Sequence, residues 1–219
     1  MHVTFTYDPR REVDTLRWGF GSQNSPVATR FAEEAQTAGV DFASEEAVAA
    51  FAVAKIEREG IDTAALARDL AGTWASVEPE AEARLKRIFQ TDWDPGEVTA
   101  YLTLSTRCPY NIRQRYYYFV SIGREKKAPI QVSLHELLHF YTHQLIEPLF
   151  VKARVRERHN DFKEALTALL NLEFADLLDQ PDRGYPQHQP LREVISTKWK
   201  ADKNVYDIAQ EYIQDNQGD

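Results

Sequence analysis

The run Ser133-Leu134-His135-Glu136-Leu137-Leu138-His139 constrains this chain more than any other stretch. Histidines four apart lie on one face of an α-helix, about one turn from each other. The periodicity predicts a helix over 130–147, stopped by Pro148. On its wheel His135, His139 and His143 fall within about 80° of one another, near Glu136. Leu134, Leu137, Leu138, Tyr141 and Leu145 take a separate arc, the one expected to face a core. The plain alternative is an amphipathic helix with polar histidines turned outward.

Imidazoles placed one turn apart can reach a single zinc ion. The glutamate after the first histidine projects to the same side, where it can take a proton from water beside the metal. The pattern is that of zinc-dependent peptide hydrolysis. His135 and His139 are therefore the expected zinc ligands and Glu136 the expected general base.

A zinc site usually takes a third protein ligand. A second helix is predicted from about Asn160 to Leu178, with Phe162, Leu166, Leu169, Leu170 and Leu177 at helical spacing. Glu173 falls near the middle of that apolar arc. A carboxylate there is costly unless it is paired or bound to a metal, so Glu173 is the expected third ligand and a buried ion pair is the alternative. Glu164 lies on the opposite face, beside Asn160, Asp161 and Asn171, and reads first as part of a solvated helix start, with the role of third ligand as its alternative. Glu147 stands three turns from His135, too far along the same helix to close its coordination sphere. Asp176 flanks Glu173, where it could accept a hydrogen bond from a ligand histidine. His143 lies about 12 Å along the axis from His135. An unbroken helix cannot bring all three histidines to one ion, so His143 is read as supporting a ligand, facing substrate, or simply polar.

The rest of the chain frames this motif. Residues 2–7 alternate like a short strand, and 10–25 read as irregular, with Gly19, Gly21, Ser22, Asn24 and Ser25. Four helices are expected near 27–38, 44–59, 62–76 and 78–90, broken at Gly39, Gly60 and Pro79, with Ser44 capping the second. Strands are expected within 97–105 and over 115–122, separated by a loop with Cys108-Pro109. A basic loop with Arg124, Lys126 and Lys127 follows. The tract 180–190 reads as a loop, and helices near 191–199 and 203–215 complete the chain.

Of 219 residues, 43% are hydrophobic, enough for a sizeable core, and the net charge is -8. An acidic surface repels phosphate backbones, so no nucleic-acid partner is expected. Cys108 is the only cysteine, so no disulfide can form within the chain. No apolar run approaches the roughly 20 residues of a membrane helix. Met1 to Tyr7 lacks the pattern of a signal peptide. The expected location is the cytoplasm, with no membrane partner.

His135-Glu136-Leu137-Leu138-His139, followed by a glutamate on a later helix, resembles the gluzincin metallopeptidases. Leu170-Asn171-Leu172-Glu173-Phe174-Ala175 is similar to the leucine-asparagine-glutamate-glycine-phenylalanine-alanine run of aminopeptidase-like members. Here the glutamate comes one position later, and the gap from His139 is longer. The resemblance covers roughly 97–180 and no glycine-containing exopeptidase motif accompanies it. It implies a small sheet packed on the active-site helix, with an edge strand, here 115–122, that binds extended peptide. It also implies an oxyanion-stabilising tyrosine or histidine, for which Tyr185 and His188 are candidates.

The expectation is thus a mostly helical α+β chain. An N-terminal strand and helical region covers 1–96, and a zincin-like core with its small sheet covers 97–219. The expected activity is zinc-dependent hydrolysis of a peptide or protein substrate. The alternatives are a zinc hydrolase for another amide or ester, and a non-catalytic zinc-stabilised binding domain.

Overall fold

The computed structural model describes residues 1–15, 29–105, 109–120 and 128–217. The chain is a mostly helical α+β protein, with ten α-helices and one four-stranded mixed sheet among the described residues. No helix among them is long and apolar enough to cross a membrane. Most of the irregular tract at 10–25, Cys108, and the basic loop with Arg124, Lys126 and Lys127 lie outside the described residues.

The chain folds as two compact units that interleave in sequence rather than dividing at residue 96. One comprises His2–Thr73 and Glu97–Lys127, the other Met1, Trp74–Gly96 and Ala128–Asp219.

The first unit holds the sheet. Its strands β1 (His2–Thr6), β2 (Glu97–Thr103), β3 (Tyr110–Asn111) and β4 (Tyr116–Val120) lie in the order β1-β2-β4-β3. β1 and β2 run parallel, with Val3 opposite Val98, and β2 and β4 are parallel too. Parallel neighbours need a crossover connection. Between β1 and β2 the chain accordingly passes through helices α1 (Thr29–Thr37), α2 (Glu45–Arg58) and α3 (Thr63–Ala75).

Local chemistry sets the bounds of α2 and α3. The Ser44 side chain accepts a hydrogen bond from Ala47 N at 3.1 Å, as expected of a cap. Gly60 ends α2 in the left-handed region at φ 64°, where glycine carries no steric penalty. Val13, Phe31, Ala32, Val48 and Ala52 form a buried cluster against which Phe51 and Leu104 pack.

The strand at 115–122 was expected at a sheet edge. Instead β4 lies between β2 and β3. Asn111 Oδ1 accepts from Gln114 N at 3.0 Å, which closes a turn that folds β3 back onto β4. Tyr118 N then donates to Pro109 O at 2.9 Å. The first three residues of β4 are thereby paired on both sides, so they offer no free edge to a peptide.

The second unit is all helical among the described residues. It contains α4 (Glu78–Ile88), α5 (Pro129–Leu145), α6 (Glu147–Ala153), α7 (His159–Leu166), α8 (Ala168–Glu173), α9 (Gln189–Ala201) and α10 (Val205–Asp215). Its interior includes the predicted stripe of Leu134, Leu137, Leu138 and Tyr141, all essentially inaccessible. Tyr141 stacks on Phe89 and meets Trp93 edge-on, and Phe150, Phe162 and Tyr212 form a second aromatic group.

Two prolines expected to break helices open them instead. Pro79 and Pro148 sit in the first turns of α4 and α6, where the missing N–H costs nothing. The helix expected over 160–178 divides at Thr167, whose hydroxyl donates to Glu164 O at 2.8 Å. The break separates the segment that carries Glu164 from the one that carries Glu173.

Candidate metal centre

The site is built on α5 and α7. α5 has no cap of its own, because Ala128 precedes it and Pro129 opens it. Asp179, from the loop after α8, supplies the missing acceptors: its carboxylate receives Ile130 N at 3.0 Å and Gln131 N at 3.2 Å. The helix is then held along its apolar stripe while His135, Glu136 and His139 face α7.

The two rings stand 4.5 Å apart between centroids. Glu164 Oε2 lies 3.7 Å from His135 Nε2 and 3.5 Å from His139 Nε2. These separations are longer than ordinary hydrogen bonds. They approach the spacing of about 3.3–3.4 Å between donors of a tetrahedral zinc site with bonds near 2.0–2.1 Å. The donor set, two imidazoles and a carboxylate, also suits zinc. Glu164 Oε2 and Glu136 Oε2 are buried, with no hydrogen-bond partner among the described residues. Such atoms are costly to leave bare. On donor type, spacing and orphaned oxygen, the residues present fit the ion that the motif implies.

Electrostatics bind the cluster together. Asp182 Oδ2 lies 2.7 Å from His135 Nδ1, fixing that ring with Nε2 towards Glu164. Burial alone would lower the His135 pKa, but Asp182 and Glu164 together raise it to about 10. His139 falls to about 3, first by burial and then by repulsion from His135. Burial raises Glu136 to about 7 despite the attraction of His135. Glu164 is held far below the usual carboxylate range: burial opposes this, but His135, His139 and the neighbouring Lys163 outweigh it. Lys163 is itself buried, with Nζ 2.6 Å from Glu164 Oε1.

The expected residues meet different fates. His135, Glu136 and His139 share the centre, but Glu173 is not brought to it. Glu173 Oε1 accepts from Trp199 Nε1 at 2.8 Å and pairs with the largely exposed Lys203 at 2.6 Å, so an ion pair near the surface, neither the expected metal nor a fully buried pair, accounts for it. Glu164 occupies the third position instead. The wheel over 160–178 puts Glu164 opposite Phe162 and Leu166, and it remains opposite them within α7; what the wheel cannot show is that α7 is buried on both sides, with Lys163 and Ala165 buried as well as Phe162 and Leu166. Asp176 pairs with Arg84 rather than with a histidine. Asp182, in a tract read only as loop, does what was expected of Asp176. Tyr185 is half exposed and its ring lies 6.1 Å from that of the buried His188. His188 lies 3.8 Å from Asp161.

Sequence reasoning ranked Glu164 behind Glu173 and missed Lys163 and Asp182. The available signal was His159 beside Lys163-Glu164, charged groups crowded one turn from Phe162 and Leu166. His143 and Glu147 join His159 in a second group, separate from the first. Burial lowers the pKa of both histidines there, His159 to about 4, so both are neutral at pH 7.

No protein-family model, curated protein or solved structure matches this chain.

Proposed function

We propose that the protein is a zinc-dependent hydrolase, a metallopeptidase, with the ion held by His135, His139 and Glu164 and with Glu136 as general base. The observation that carries this reading is the convergence of both Nε2 atoms on Glu164 Oε2, beside a buried Glu136 whose Oε2 has no partner among the described residues. Zinc at this site supplies a Lewis acid that acidifies water and polarises a carbonyl.

The chain's own groups supply the rest. Asp182 orients the His135 ring by accepting from Nδ1–H, and the proton that the raised pKa of His135 keeps on Nε2 in the metal-free protein must leave before that nitrogen can bind an ion. His139 stays neutral at any physiological pH. Glu136, buried beside both histidines with Oε2 without a partner among the described residues, is placed to accept a proton at that oxygen and return it to a leaving nitrogen. A purely structural ion would leave Glu136 without a task, which favours hydrolysis over a zinc-stabilised binding module.

The test is Glu136→Gln, assayed for zinc content and for cleavage of a quenched-fluorescent peptide library. Retained zinc with cleavage reduced by at least about 100-fold is expected for loss of a general base. Full cleavage by the variant would end the proposed role. Activity on esters or non-peptide amides, with no peptide cleaved, would move the reading to a different zinc hydrolase.

A further inference from the structure

The histidine stripe of α5 does not stop at His139. His143 lies one turn further on, Glu147 opens α6, and His159 opens α7. One donor atom from each of these three lies within 4.8 Å of the others. We propose that His143, Glu147 and His159 form a second site for a divalent transition metal, which ties the α5–α6 junction to the start of α7.

An ordinary helix-surface pair accounts for part of the cluster. His143 Nδ1 and Glu147 Oε2 are 2.8 Å apart at i,i+4 spacing, and Arg156 Nε pairs with Glu147 Oε1 at 2.9 Å. It does not account for His159. That side chain is only 4% exposed, and its Nε2 is buried with no hydrogen-bond partner among the described residues. Its ring lies 4.7 Å from that of His143 and meets Phe150 edge-on at 5.4 Å, so its neighbours include an apolar wall. A buried ring nitrogen without a partner is costly, and an ion shared with His143 and Glu147 would remove that cost.

Two imidazoles and one carboxylate select zinc, cobalt, nickel or copper over calcium or magnesium. Arg156 leaves room for such an ion, because it holds Oε1 of Glu147 and is largely exposed. The site shares no ligand with the first, so it does not rest on the hydrolase reading. It does bear on it mechanically. His139 precedes His143 by one turn of α5, and Glu164 follows His159 on α7. An ion at the second site would hold together the two helices whose separation sets the first.

The experiment is zinc stoichiometry after metal removal with EDTA and reloading, by elemental analysis and by competition with a chromophoric chelator. It is run on wild type, His159→Ala, Glu147→Gln and Glu164→Gln, with circular dichroism to check folding. Glu147→Gln is the milder change, chosen in case His159→Ala does not fold. Wild type should take up about two zinc ions per chain, and His159→Ala and Glu147→Gln about one. One ion in wild type, lost in Glu164→Gln but kept in Glu147→Gln, overturns the second site and leaves the first. One ion lost in Glu147→Gln but kept in Glu164→Gln supports the second site and removes the first. No zinc in wild type overturns both.

Discussion

Asp182→Asn separates a residue that orients a ligand from one that only stabilises the fold. Asp182 is almost wholly buried and its carboxylate is saturated. Oδ2 meets His135 Nδ1 at 2.7 Å and Gln131 Nε2 at 2.8 Å. Oδ1 lies 3.0 Å from Thr167 Oγ1, whose one proton it shares with Glu164 O, and pairs with Arg192 Nη2 at 3.0 Å. Burial pushes its pKa up, but His135, Arg192 and Thr167 hold it at about 2 against an ordinary 3.8. The folded value is the lower one, so the stabilisation is complete above pH 3.8 and is lost as pH falls through 2. At pH 7 it is worth about 2 kcal/mol.

Asparagine keeps the shape but not the charge, and it must turn its NH2 group towards either His135 or the buried Arg192. Metal-free Asp182→Asn should therefore unfold about 2–3 kcal/mol more easily in urea. Its zinc Kd should weaken by about 10–100-fold, the usual cost of losing the acceptor behind a ligand histidine. Chelator competition in a Glu147→Gln background isolates the first site. Asp179→Asn, which removes only charge from the α5 cap, should cost up to about 1 kcal/mol of stability and leave the zinc Kd within about twofold. A zinc Kd within twofold of the parent for folded Asp182→Asn would refute the argument, because His135 would then bind without its partner or not bind at all.

Glu173→Gln should leave zinc uptake unchanged and cost about 1 kcal/mol through the weakened Trp199 and Lys203 contacts; loss of zinc on elemental analysis would restore Glu173 as a ligand. Glu12 is buried, and burial raises its pKa to about 7 despite hydrogen bonds from Leu104, Thr103 and Thr15. Its folded value is the higher one, so ionisation costs stability, which should fall by about 3 kcal/mol between pH 4.5 and 7 on this group's account. Urea unfolding at pH 5 and pH 8 should show that difference shrinking in Glu12→Gln, and equal pH slopes would contradict it. Gly184 has φ 59°, and a Cβ there would lie 2.5 Å from Arg192 Nη1, a group pinned by Asp182 and Thr167. Gly184→Ala should cost about 1–3 kcal/mol, and a melting temperature equal to wild type would show that Arg192 can move.

What could be read from the sequence was local. Ser44 as a cap, Gly60 as a helix end and the leucine stripe of α5 each depend on residues within a turn or two. So does the pairing of His135 with His139, which helix geometry dictates. The parallel pairing of Val3 with Val98 spans over 90 residues and leaves no mark in either segment. The third donor failed for a related reason. A helical wheel assumes one buried face, and α7 has two: Phe162 and Leu166 are buried on one side while Lys163 and Glu164 turn towards α5 on the other, which depends on a helix whose His135 and His139 lie more than 20 residues earlier. Nothing in Gln180-Pro181-Asp182-Arg183 signals that Asp182 returns to clamp a ring on α5.

Most buried polar groups around the centre are satisfied within the fold. Asp182 is saturated, Asn171 exchanges two hydrogen bonds with the Asp182 backbone, and Arg192 is held by Thr167 and Asp182. Against that background Glu136 Oε2, Glu164 Oε2 and His159 Nε2 remain without hydrogen bonds among the described residues. Folding alone would select against three such atoms packed on one pair of helices, because each costs about 1–3 kcal/mol. A fold that satisfies Asp182 four times over had the means to satisfy these as well. The Tyr7 and Tyr141 hydroxyls are buried without a partner among the described residues as well, but only on the facing sides of α5 and α7 do such atoms stand among converging histidines and carboxylates, and that convergence is the physical ground for reading these helices as a metal-binding surface rather than a polar seam.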